Sequence, residues 1–532
     1  MSNNEKPYET GDGDDSEPEM LAVDDALEEI DDGEDIAMAS DDEHDDGEDI
    51  YLVNDSIAYF DVHKDSVFAI AQHPKYPSLV ATGGSEGDGD DAPGKGYVID
   101  TSAAQSRPLL PFTYSSDPEA AAAQRSTELQ PLFTIDGHTD SINALTFTLP
   151  NGDFLVSGGM DGRMRVYGVN VGDGRVDFQF VAESQEVPEI NWLVPSPSKD
   201  HPNTLALGAS DGSVWVFTID PAADPAAPVQ IAQSYFMHMG ACTAGAWTPD
   251  GNLLATVSED GSLNVWDVWG VAAGKGLLAP GQTQTVVSLT SEDQRFEVIG
   301  GLYSVAVSPG GGVVAVGGAG GIIKIVSLPR LADAAKPAAG KGKAQKGRAG
   351  GAGEAQAGMI LASMQAQSDG VEALSFAPPP LTLLAAGSVD GSIAVYDASR
   401  SFAVRRHIQH AHDDYSVVKV EWVRSSPQAG GVSGPAQWLL TSCGMDGVVR
   451  RWDVRGTAPT GAASSAAAAA QATAQGGAPG PSAAATASGL VKEWRGHRGD
   501  GEGGGVLGFV QGETGERVVT AGDDGVVLVF EA

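Results

Sequence analysis

Two short motifs in this chain have the residue types of catalytic or phosphate-binding chemistry, and neither has the neighbours that its chemistry needs. The segment Gly83-Gly84-Ser85-Glu86-Gly87 has the spacing of a nucleophile elbow, which requires a following helix and a placed histidine, but a Gly/Asp-rich loop sequence follows it. The segment Gly270 to Gly276 is one spacer residue short of a phosphate loop and lacks the Ser or Thr after Lys275. We therefore predict a protein that is not an enzyme, with no catalytic residues.

Three closely spaced histidines, His407, His410 and His412, are followed by Asp413 and could in principle bind a metal. In the repeat register described below they fall in or next to a loop, where structural or solvated histidines are much more common than metal ligands. We therefore expect no metal and no other cofactor.

Carboxylates dominate the chemistry of the chain, whose formal net charge is −41 over 532 residues. Residues 1–50 hold 22 Asp and Glu against one Lys, and the remaining residues carry a further −20. Such a surface repels nucleic acid and anionic lipid and attracts basic proteins. We expect a basic protein partner, no direct contact with nucleic acid and no membrane insertion; the competing interpretation is that the charge only keeps the protein soluble.

Repeated β-segments that end in an Asp-Gly turn must position these carboxylates and histidines. The clearest copies run from Leu155 to Tyr167, with Asp161-Gly162, and from Leu254 to Asp267, with Asp260-Gly261. An apolar strand, a tight Asp-Gly turn and a second alternating strand form a hairpin that cannot bury its own apolar face. Many copies around an axis can do so, and the sequence therefore predicts an all-β propeller.

Eight repeat units follow one another, and the fifth is degenerate because Gly320-Gly321 replaces Asp-Gly. Residues 1–50 have the composition of a disordered acidic tail, and residues 51–532 form the propeller. We expect the strand at 51–60 to pair with the last unit and close the ring, which leaves no sheet edge open. Low-complexity runs of Gly, Ala, Pro and Ser predict loop insertions at 84–95, 102–126, 330–365, 424–436 and 456–488.

The basic stretch from Lys336 to Arg348 lies in one of these insertions. A nuclear import signal, an RNA contact, a self-inhibitory contact with the acidic surface and a loop that is merely basic all remain open for it. The only cysteines, Cys242 and Cys443, fall in predicted strands, which fits buried thiols in a reducing compartment. The first residues are acidic, so we expect no secretory signal. We expect a monomer in the cytoplasm, with the nucleus as a second location.

The pattern of Gly-His, an Asp-Gly turn and Trp-Asp or Tyr-Asp resembles the WD-repeat family. In that family the histidine of the loop before each innermost strand and the aspartate of the turn are structural and hold the loops rigid. His63, His238 and His410 or His412 match this pattern more loosely. The resemblance implies structural roles for these residues: His138, Asp161, Asp211, Asp260, Trp266, Asp390, Asp446, Trp452, His497 and Asp524.

A narrower resemblance rests on an acidic leader followed by VHKDSVFAIAQHP, GHTDSINALTF, PEINWLVPSP, LALGASDGSVWVF and GVEALSFAP. This order of segments is similar to that of the angio-associated migratory cell protein family. That family includes a yeast chaperone of one basic large-subunit ribosomal protein, L ten, whose basic N-terminal segment it holds on an acidic eight-bladed propeller. The long Gly/Ala insertions and the degenerate fifth unit depart from the family pattern.

The resemblance implies that the loop before each innermost strand, here called the leading loop, shares one face with the Asp-Gly turns. Counting from the motifs places Phe68, Asn143, Asn191, Thr243 and Val418 at the mouth of the central channel, and Trp192 is expected in the core. The implied partner-binding residues on this acidic top face are Glu372, Asp140, Glu189, Glu259, Asp369, Asp414, Asp523 and Tyr303.

The function that this implies is capture of the basic N-terminal segment of a large-subunit ribosomal protein and its delivery to 60S ribosome assembly. Carboxylates on the top face would accept charge-assisted hydrogen bonds from Arg and Lys of such a client. A WD-repeat scaffold in signalling, cell migration or a ubiquitin-ligase complex is the first alternative, and a histone-binding propeller is the second. A fold of this kind alone does not decide between them.

Overall fold

Small β-sheets, seven of four strands and one of five, build the described part of this protein. The computed structural model describes residues 54–87, 89, 92–104, 127–172, 175–331, 357–424, 438–456, 489–499 and 504–532. The acidic segment 1–50 and the greater part of the four insertions predicted after residue 101 lie outside the described residues, so those predictions stay predictions. The described residues fall in one compact unit, Leu52–Ala532.

The strands are numbered in chain order. The first seventeen are β1 (Ala58–Phe60), β2 (Ala69–Gln72), β3 (Leu79–Ser85), β4 (Gly94–Asp100), β5 (Thr127–Glu128), β6 (Pro131–Ile135), β7 (Ile142–Phe147), β8 (Phe154–Gly159), β9 (Met164–Gly172), β10 (Arg175–Ser184), β11 (Ile190–Pro195), β12 (Thr204–Ala209), β13 (Val214–Ile219), β14 (Val229–Tyr235), β15 (Cys242–Trp247), β16 (Leu253–Ser258) and β17 (Leu263–Asp267).

The remaining strands are β18 (Thr285–Leu289), β19 (Leu302–Val307), β20 (Val313–Gly318), β21 (Ile322–Ser327), β22 (Ile360–Gln365), β23 (Val371–Phe376), β24 (Leu383–Ser388), β25 (Ile393–Asp397), β26 (Ala403–Ile408), β27 (Ala411–Asp414), β28 (Val417–Trp422), β29 (Leu439–Gly444), β30 (Val449–Asp453), β31 (Leu490–Trp494), β32 (Val506–Val510), β33 (Arg517–Gly522) and β34 (Val527–Glu531). The helical segments that lie wholly in the described ranges are α1 (Val271–Gly274) and 3₁₀ turns at Thr101–Ala103, Ala319–Gly321 and Ala398–Arg400. None of these helices is long and apolar enough to cross a bilayer.

Eight sheets result, which confirms the all-β, eight-bladed propeller. From inside to outside, blades 1 to 7 are β2-β3-β4-β6, β7-β8-β9-β10, β11 to β14, β15 to β18, β19 to β22, β23 to β26 and β28 to β31. Blade 8 is β32-β33-β34-β1-β5. The innermost strands of neighbouring blades adjoin all the way round, and β2 of blade 1 adjoins β32 of blade 8.

The ring closes through β1, as expected from the sequence. This strand runs antiparallel to β34, with Ala58 opposite Val529 and Phe60 opposite Val527. Its other edge is covered by the two-residue strand β5, which pairs with it in parallel. The fourth strand of blade 8, β1, therefore comes from sequence that precedes blade 1. Its fifth strand, β5, comes from the segment between β4 and β6 of blade 1.

Apolar clusters lie between the blades. The middle strands are buried on both sides, as in β3 and β8, so each sheet has two apolar faces to cover. Eight separate clusters fill the eight spaces between neighbouring blades; for example, Trp192 of blade 3 packs with Trp247 and Trp266 of blade 4. Because each blade contributes to two clusters, no blade buries its apolar residues without both neighbours.

Two predicted insertions are shorter than expected. Residues 360–365 form β22, in which Ile360, Ala362 and Met364 are half-buried while the residues between them are exposed, and this alternation is that of an outer strand. In the 84–95 insertion, β3 continues to Ser85 and β4 begins at Gly94 because the ladder pairs Ser85 with Gly94. Composition hides these strand ends because Gly, Ala and Ser occur in both the loops and the strands.

Candidate functional site

Where a blade has an Asp-Gly turn, this turn supports the leading loop of the next blade. Gly162 in the turn of blade 2 has φ of +72°, and a Cβ there would lie 2.1 Å from the carbonyl oxygen of Val187 in the leading loop of blade 3. Gly391 of blade 6 has φ of +77°, and a Cβ there would lie 2.2 Å from the carbonyl oxygen of Asp413 in blade 7. Only glycine combines this φ with so close an approach, and the turns thereby position the loops of the top face.

Histidines of the leading loops fix the same geometry in several of the blades. His138 Nδ1 lies 3.1 Å from Asp161 Oδ1, and its Nε2 lies 2.8 Å from Ser157 Oγ. His497 makes the equivalent pair with Asp524 at 3.0 Å. His412, and not His410, is the equivalent residue of blade 7, because His412 is buried between Asp446 Oδ1 at 2.8 Å and Ser442 Oγ at 2.7 Å.

The hydrogen bonds of these histidines continue into the interior of the blade. His238 Nε2 lies 2.8 Å from Thr256 Oγ1, which also accepts a hydrogen bond from Trp266 Nε1 at 2.8 Å. Ser442 links His412 to Trp452 Nε1 in the same way, at 2.9 Å from the indole nitrogen. In both blades a hydroxyl on the second strand thus connects the leading loop to the third strand.

Turn aspartates accept hydrogen bonds from backbone amides. The amide of Ser213 donates to Asp211, and the amide of Ser262 donates to Asp260. Burial works against the charge of Asp390, but hydrogen bonds from Ser392 and Ser368 outweigh it and lower the pKa of Asp390 to about 2. These carboxylates serve the loop geometry, which leaves partner binding to other side chains.

A β-bulge near the start of the innermost strand takes one residue of blades 2 to 8 out of the pairing ladder. The pairing register of these strands with their neighbours shifts between the first and third residue in blades 2 to 8, and the residue between them has no partner. Bulges of this kind redirect a side chain out of the sheet. The bulge residues are Asn143, Asn191, Thr243, Tyr303, Glu372, Val418 and Leu507, and Phe68 precedes β2 at the corresponding place in blade 1.

Only some of these residues are available to a partner. Glu372, Tyr303 and Phe68 are exposed. Asn191 donates to the carbonyl of Cys242, and Thr243 donates to the carbonyl of Leu302, so both connect neighbouring blades. Sequence counting had missed Leu507, whose place follows from the first apolar residue of β32, Val506.

The predicted acidic residues divide into two groups. Asp140 is half-buried and accepts from the amide of Ser141 at 2.6 Å, and Asp523 is half-buried and accepts from Ser66 Oγ at 2.6 Å. Glu189 is also half-buried. The exposed members are Glu259, Asp369, Glu372 and Asp414, and all four lie in blades 4 to 7.

The exposed acids have local contacts that leave charge available. Glu372 Oε2 accepts from Ser416 Oγ at 3.1 Å, and Asp369 Oδ1 accepts from the amide of Gly370 at 2.7 Å. Asp414 Oδ1 lies 3.2 Å from His410 Nδ1, and both side chains are highly exposed. The acidic sector of the top face, defined here as Glu259, Asp369, Glu372 and Asp414, is therefore accessible to solvent.

Basic side chains limit the extent of the acidic surface. Lys64 lies in the leading loop of blade 1 and pairs with Glu86 at 3.0 Å. Arg163 follows the turn of blade 2 and donates to the carbonyl of Gly137, and Arg498 is exposed in blade 8. Basic side chains thus interrupt the carboxylates of the top face in blades 1, 2 and 8.

Exposed apolar residues on the same face were not predicted. Met239 is 91% exposed in the leading loop of blade 4, and Ile299 is 84% exposed in that of blade 5. Tyr415 in blade 7 and Met160 in the turn of blade 2 are also exposed. The sequence places these residues in or beside the predicted loops and turns. It does not show whether their side chains are exposed, because the exposure depends on how the loops pack.

The other residues considered as candidates from the sequence are buried or have local structural contacts. Trp192 is buried, and its Nε1 donates to the carbonyl of Cys242 at 3.1 Å, as expected for a core residue. Ser85 donates to the carbonyl of Gly87. Burial raises the pKa of the Cys242 thiol, and it raises that of Cys443 to about 12. Within the described ranges, no three His, Cys, Asp or Glu side chains are grouped as metal ligands would be.

Known proteins share these features. The sequence profile of the family described as WD domain, G-beta repeat matches residues 129–168, 230–267 and 358–397. The ribosome assembly protein Sqt1 of Saccharomyces cerevisiae is 32% identical over 243 residues, or 44% of this chain, and the match spans 46% of the yeast protein, about half its length. Human angio-associated migratory cell protein is 24% identical over 76% of this chain and 71% of its own.

Crystal structures of Chaetomium thermophilum Sqt1 give a fuller match. One is 62% identical, covers 90% of this chain and 98% of that chain, and has a TM-score of 0.73. Another, bound to the N-terminus of the ribosomal protein L10, is 60% identical, covers 90% of this chain and all of that chain, and has a TM-score of 0.72. This chain belongs to the Sqt1 family of WD-repeat β-propellers and is homologous to angio-associated migratory cell protein.

Proposed function

We propose that this protein is a non-catalytic, dedicated chaperone that binds the N-terminal segment of ribosomal protein L10 and delivers it to assembly of the large ribosomal subunit. One observation carries the proposal: a propeller 60% identical to this chain has been crystallised with the N-terminus of L10 bound. That propeller is matched over its full length.

The chemistry of the acidic sector suits such a client. Glu259, Asp369, Glu372 and Asp414 are exposed on blades 4, 6 and 7, and the guanidinium and ammonium groups of a basic segment form charge-assisted hydrogen bonds with carboxylates. The remaining negative charge of the chain would accelerate encounter and make it depend on salt. Binding would stabilise the client by mass action until the ribosomal particle accepts it.

We further propose that capture takes place in the cytoplasm, in keeping with two cysteines that are buried and unbridged. The propeller contributes a preformed surface and no reaction. On this proposal the protein acts as a monomer that holds one client segment.

A direct binding measurement tests the proposal. A labelled peptide of the N-terminal segment of the organism's own L10 is titrated with the full chain, beside a peptide of the same composition in permuted order and a basic histone-tail peptide. We expect one-to-one binding of the L10 peptide that weakens with added salt, and clearly weaker binding of the other two. Equal affinity for all three would indicate a general polyanion, and preference for the histone tail would replace the proposal with a histone-binding function.

A further inference from the structure

Met239 and Ile299 are the two most exposed large apolar side chains among the described residues, at 91% and 84%. They lie in the leading loops of adjacent blades on the top face. Large apolar side chains exposed this fully on neighbouring loops of one face commonly mark an interaction surface. What they would contact depends on the groups between them.

The turn that carries Glu259 lies between these two loops. A Cβ at Gly240, the residue after Met239, would lie 3.4 Å from Glu259 Cβ. On the other side, a Cβ at Gly301 would lie 2.7 Å from the carbonyl oxygen of Glu259. The carboxylate therefore has an exposed apolar residue in the leading loop on each side.

The Glu259 carboxylate is exposed, and in the part of the chain that the structure describes no side chain or amide donates to it. The neighbouring carboxylate of Asp260 is different, because it accepts from the amides of Met239 at 2.6 Å and Ser262 at 2.7 Å. Of the two adjacent acids, Glu259 is the one whose charge can face a partner.

Tyr303 completes the cluster on the channel side. Its hydroxyl donates to the carbonyl of Gly300, the residue after Ile299, at 2.6 Å, which holds the phenol beside the leading loop of blade 5. Its side chain remains 37% exposed. Ser304, the next residue, donates to the carbonyl of Val371, the neighbour of Glu372, so the cluster adjoins the rest of the acidic sector.

We propose that Met239, Glu259, Ile299 and Tyr303 form a subsite for one arginine side chain of the client segment. The inference rests on the proposed function and specifies which client side chain this part of the face selects. An arginine has an apolar stem that packs on Met239 and Ile299 while its guanidinium reaches water and charge.

Arginine fits the four groups better than lysine does. A guanidinium forms two parallel hydrogen bonds to a carboxylate such as that of Glu259 and stacks on an aromatic ring such as that of Tyr303. A lysine ammonium is a compact, strongly hydrated point charge and gains less from either contact. The subsite should therefore distinguish two residues of equal charge.

Two variants test the apolar and charged parts separately. Met239→Ser with Ile299→Ser removes the apolar surface, and Glu259→Gln removes the charge. Ile231→Ser is the matched control, because Ile231 is 49% exposed on the outer strand β14. All affected side chains are exposed, and melting temperatures equal to that of the wild type establish that the variants are folded.

The readout is the dissociation constant of the L10 N-terminal peptide over a series of salt concentrations. We expect the double serine variant to bind roughly five- to thirtyfold more weakly with an unchanged salt dependence. We expect Glu259→Gln to reduce the steepness of the salt dependence, and Ile231→Ser to bind like the wild type.

A peptide series identifies the client residue. Each arginine of the L10 peptide is changed to lysine in turn, and one of these peptides should lose affinity for the wild type but not for the variant that combines all three substitutions. If the L10 peptide binds and neither variant weakens it, or if no Arg→Lys change depends on the subsite, the inference is wrong while the proposed function stands. If the L10 peptide does not bind the wild type at all, the proposed function and the inference both fail.

Discussion

Ser416 of blade 7 donates a hydrogen bond of 3.1 Å to Glu372 of blade 6, across the boundary between two blades. The donor is the residue before β28, and the acceptor is the bulge residue of β23. The carboxylate is therefore oriented by its neighbour and still exposed, which is the arrangement expected of a side chain that meets a partner. It also makes Glu372 the most informative position at which to change the charge of the acidic sector.

Reversing the charge at Glu372 should weaken binding of the L10 N-terminal peptide. Glu372→Lys is expected to raise the dissociation constant several-fold to a hundredfold, which corresponds to about 1–3 kcal/mol for a close charge pair. Ser416→Ala should have a smaller effect, because it releases the carboxylate without removing its charge. Isothermal titration calorimetry measures both.

The control for this charge reversal is Glu513→Lys. Glu513 is exposed in the turn between β32 and β33, at the opposite end of the blade from the Asp-Gly turn. If Glu513→Lys weakens binding as much as Glu372→Lys, only net charge matters and Glu372 has no special place in the site.

The buried leading-loop histidine His238 makes folding stability depend on pH. Burial is the main cause that lowers the pKa of His238 to about 4 from its ordinary value of 6.5. The unfolded chain thus takes up a proton below pH 6.5 that the folded chain refuses until about pH 4, so stability falls across this window as the pH is lowered, by about 3 kcal/mol at most for this residue.

His238→Gln should flatten the pH dependence of stability between pH 6.5 and 4. Glutamine is compatible with this position, because Gln367 occupies it in blade 6 and donates to Ser392. Urea unfolding at a series of pH values measures the slope, with His410→Gln, an exposed histidine, as the control. An unchanged slope in the His238 variant would assign the acid sensitivity to other groups.

Removing the closing strand should unfold the propeller. A chain lacking residues 1–61 loses β1 and leaves the edge of β34 and part of the apolar cluster around Ile57 and Phe60 uncovered. A chain lacking residues 1–49 keeps β1 and should melt like the full chain. Equal melting temperatures for the two truncations would show that ring closure does not depend on β1.

A methyl group at Gly162 should destabilise the protein more than one at Gly270. Both glycines have φ near +73°, so alanine incurs a similar backbone cost of about 1 kcal/mol at either position. Only at Gly162 does the new Cβ meet backbone, 2.1 Å from the Val187 carbonyl, whereas nothing lies within 4 Å at Gly270. The denaturant midpoints of the two alanine variants measure the difference in stability. Equal midpoints would mean that the leading loop of blade 3 moves away from the new methyl group without a loss of stability.

The architecture could be predicted from the sequence because it depends on a local repeat. The alternation of apolar residues around Asp161-Gly162 and Asp260-Gly261 defines hairpins, and the number of repeats defines the ring. The closing role of residues 51–60 followed from the need to cover an edge strand. The choice between His410 and His412 could not be made from spacing, since only the packed loop shows which ring reaches Asp446.

The composition of the site was harder to predict. The sequence gives every acidic residue the same weight, but Asp140 and Asp523 are engaged in local hydrogen bonds whereas Glu259 and Glu372 are exposed. The exposure of Met239 depends on contacts between two blades, which no local pattern encodes. The pairing of β5 with β1 joins residues about 70 positions apart. A strand of two residues is too short to have a recognisable sequence pattern.

The pairing of β1 with β34 sets an order of events during translation. Phe60 is among the first residues of the propeller to leave the ribosome, and its partner Val527 is among the last. At about 5–20 residues per second, the two strands are separated by on the order of half a minute to a minute and a half of synthesis. The same delay applies to the contact between Ser66 and Asp523 on the top face. A protein proposed to chaperone another must itself spend that time as an unclosed chain, in which the apolar residues of blade 1 that pack against blade 8 are uncovered.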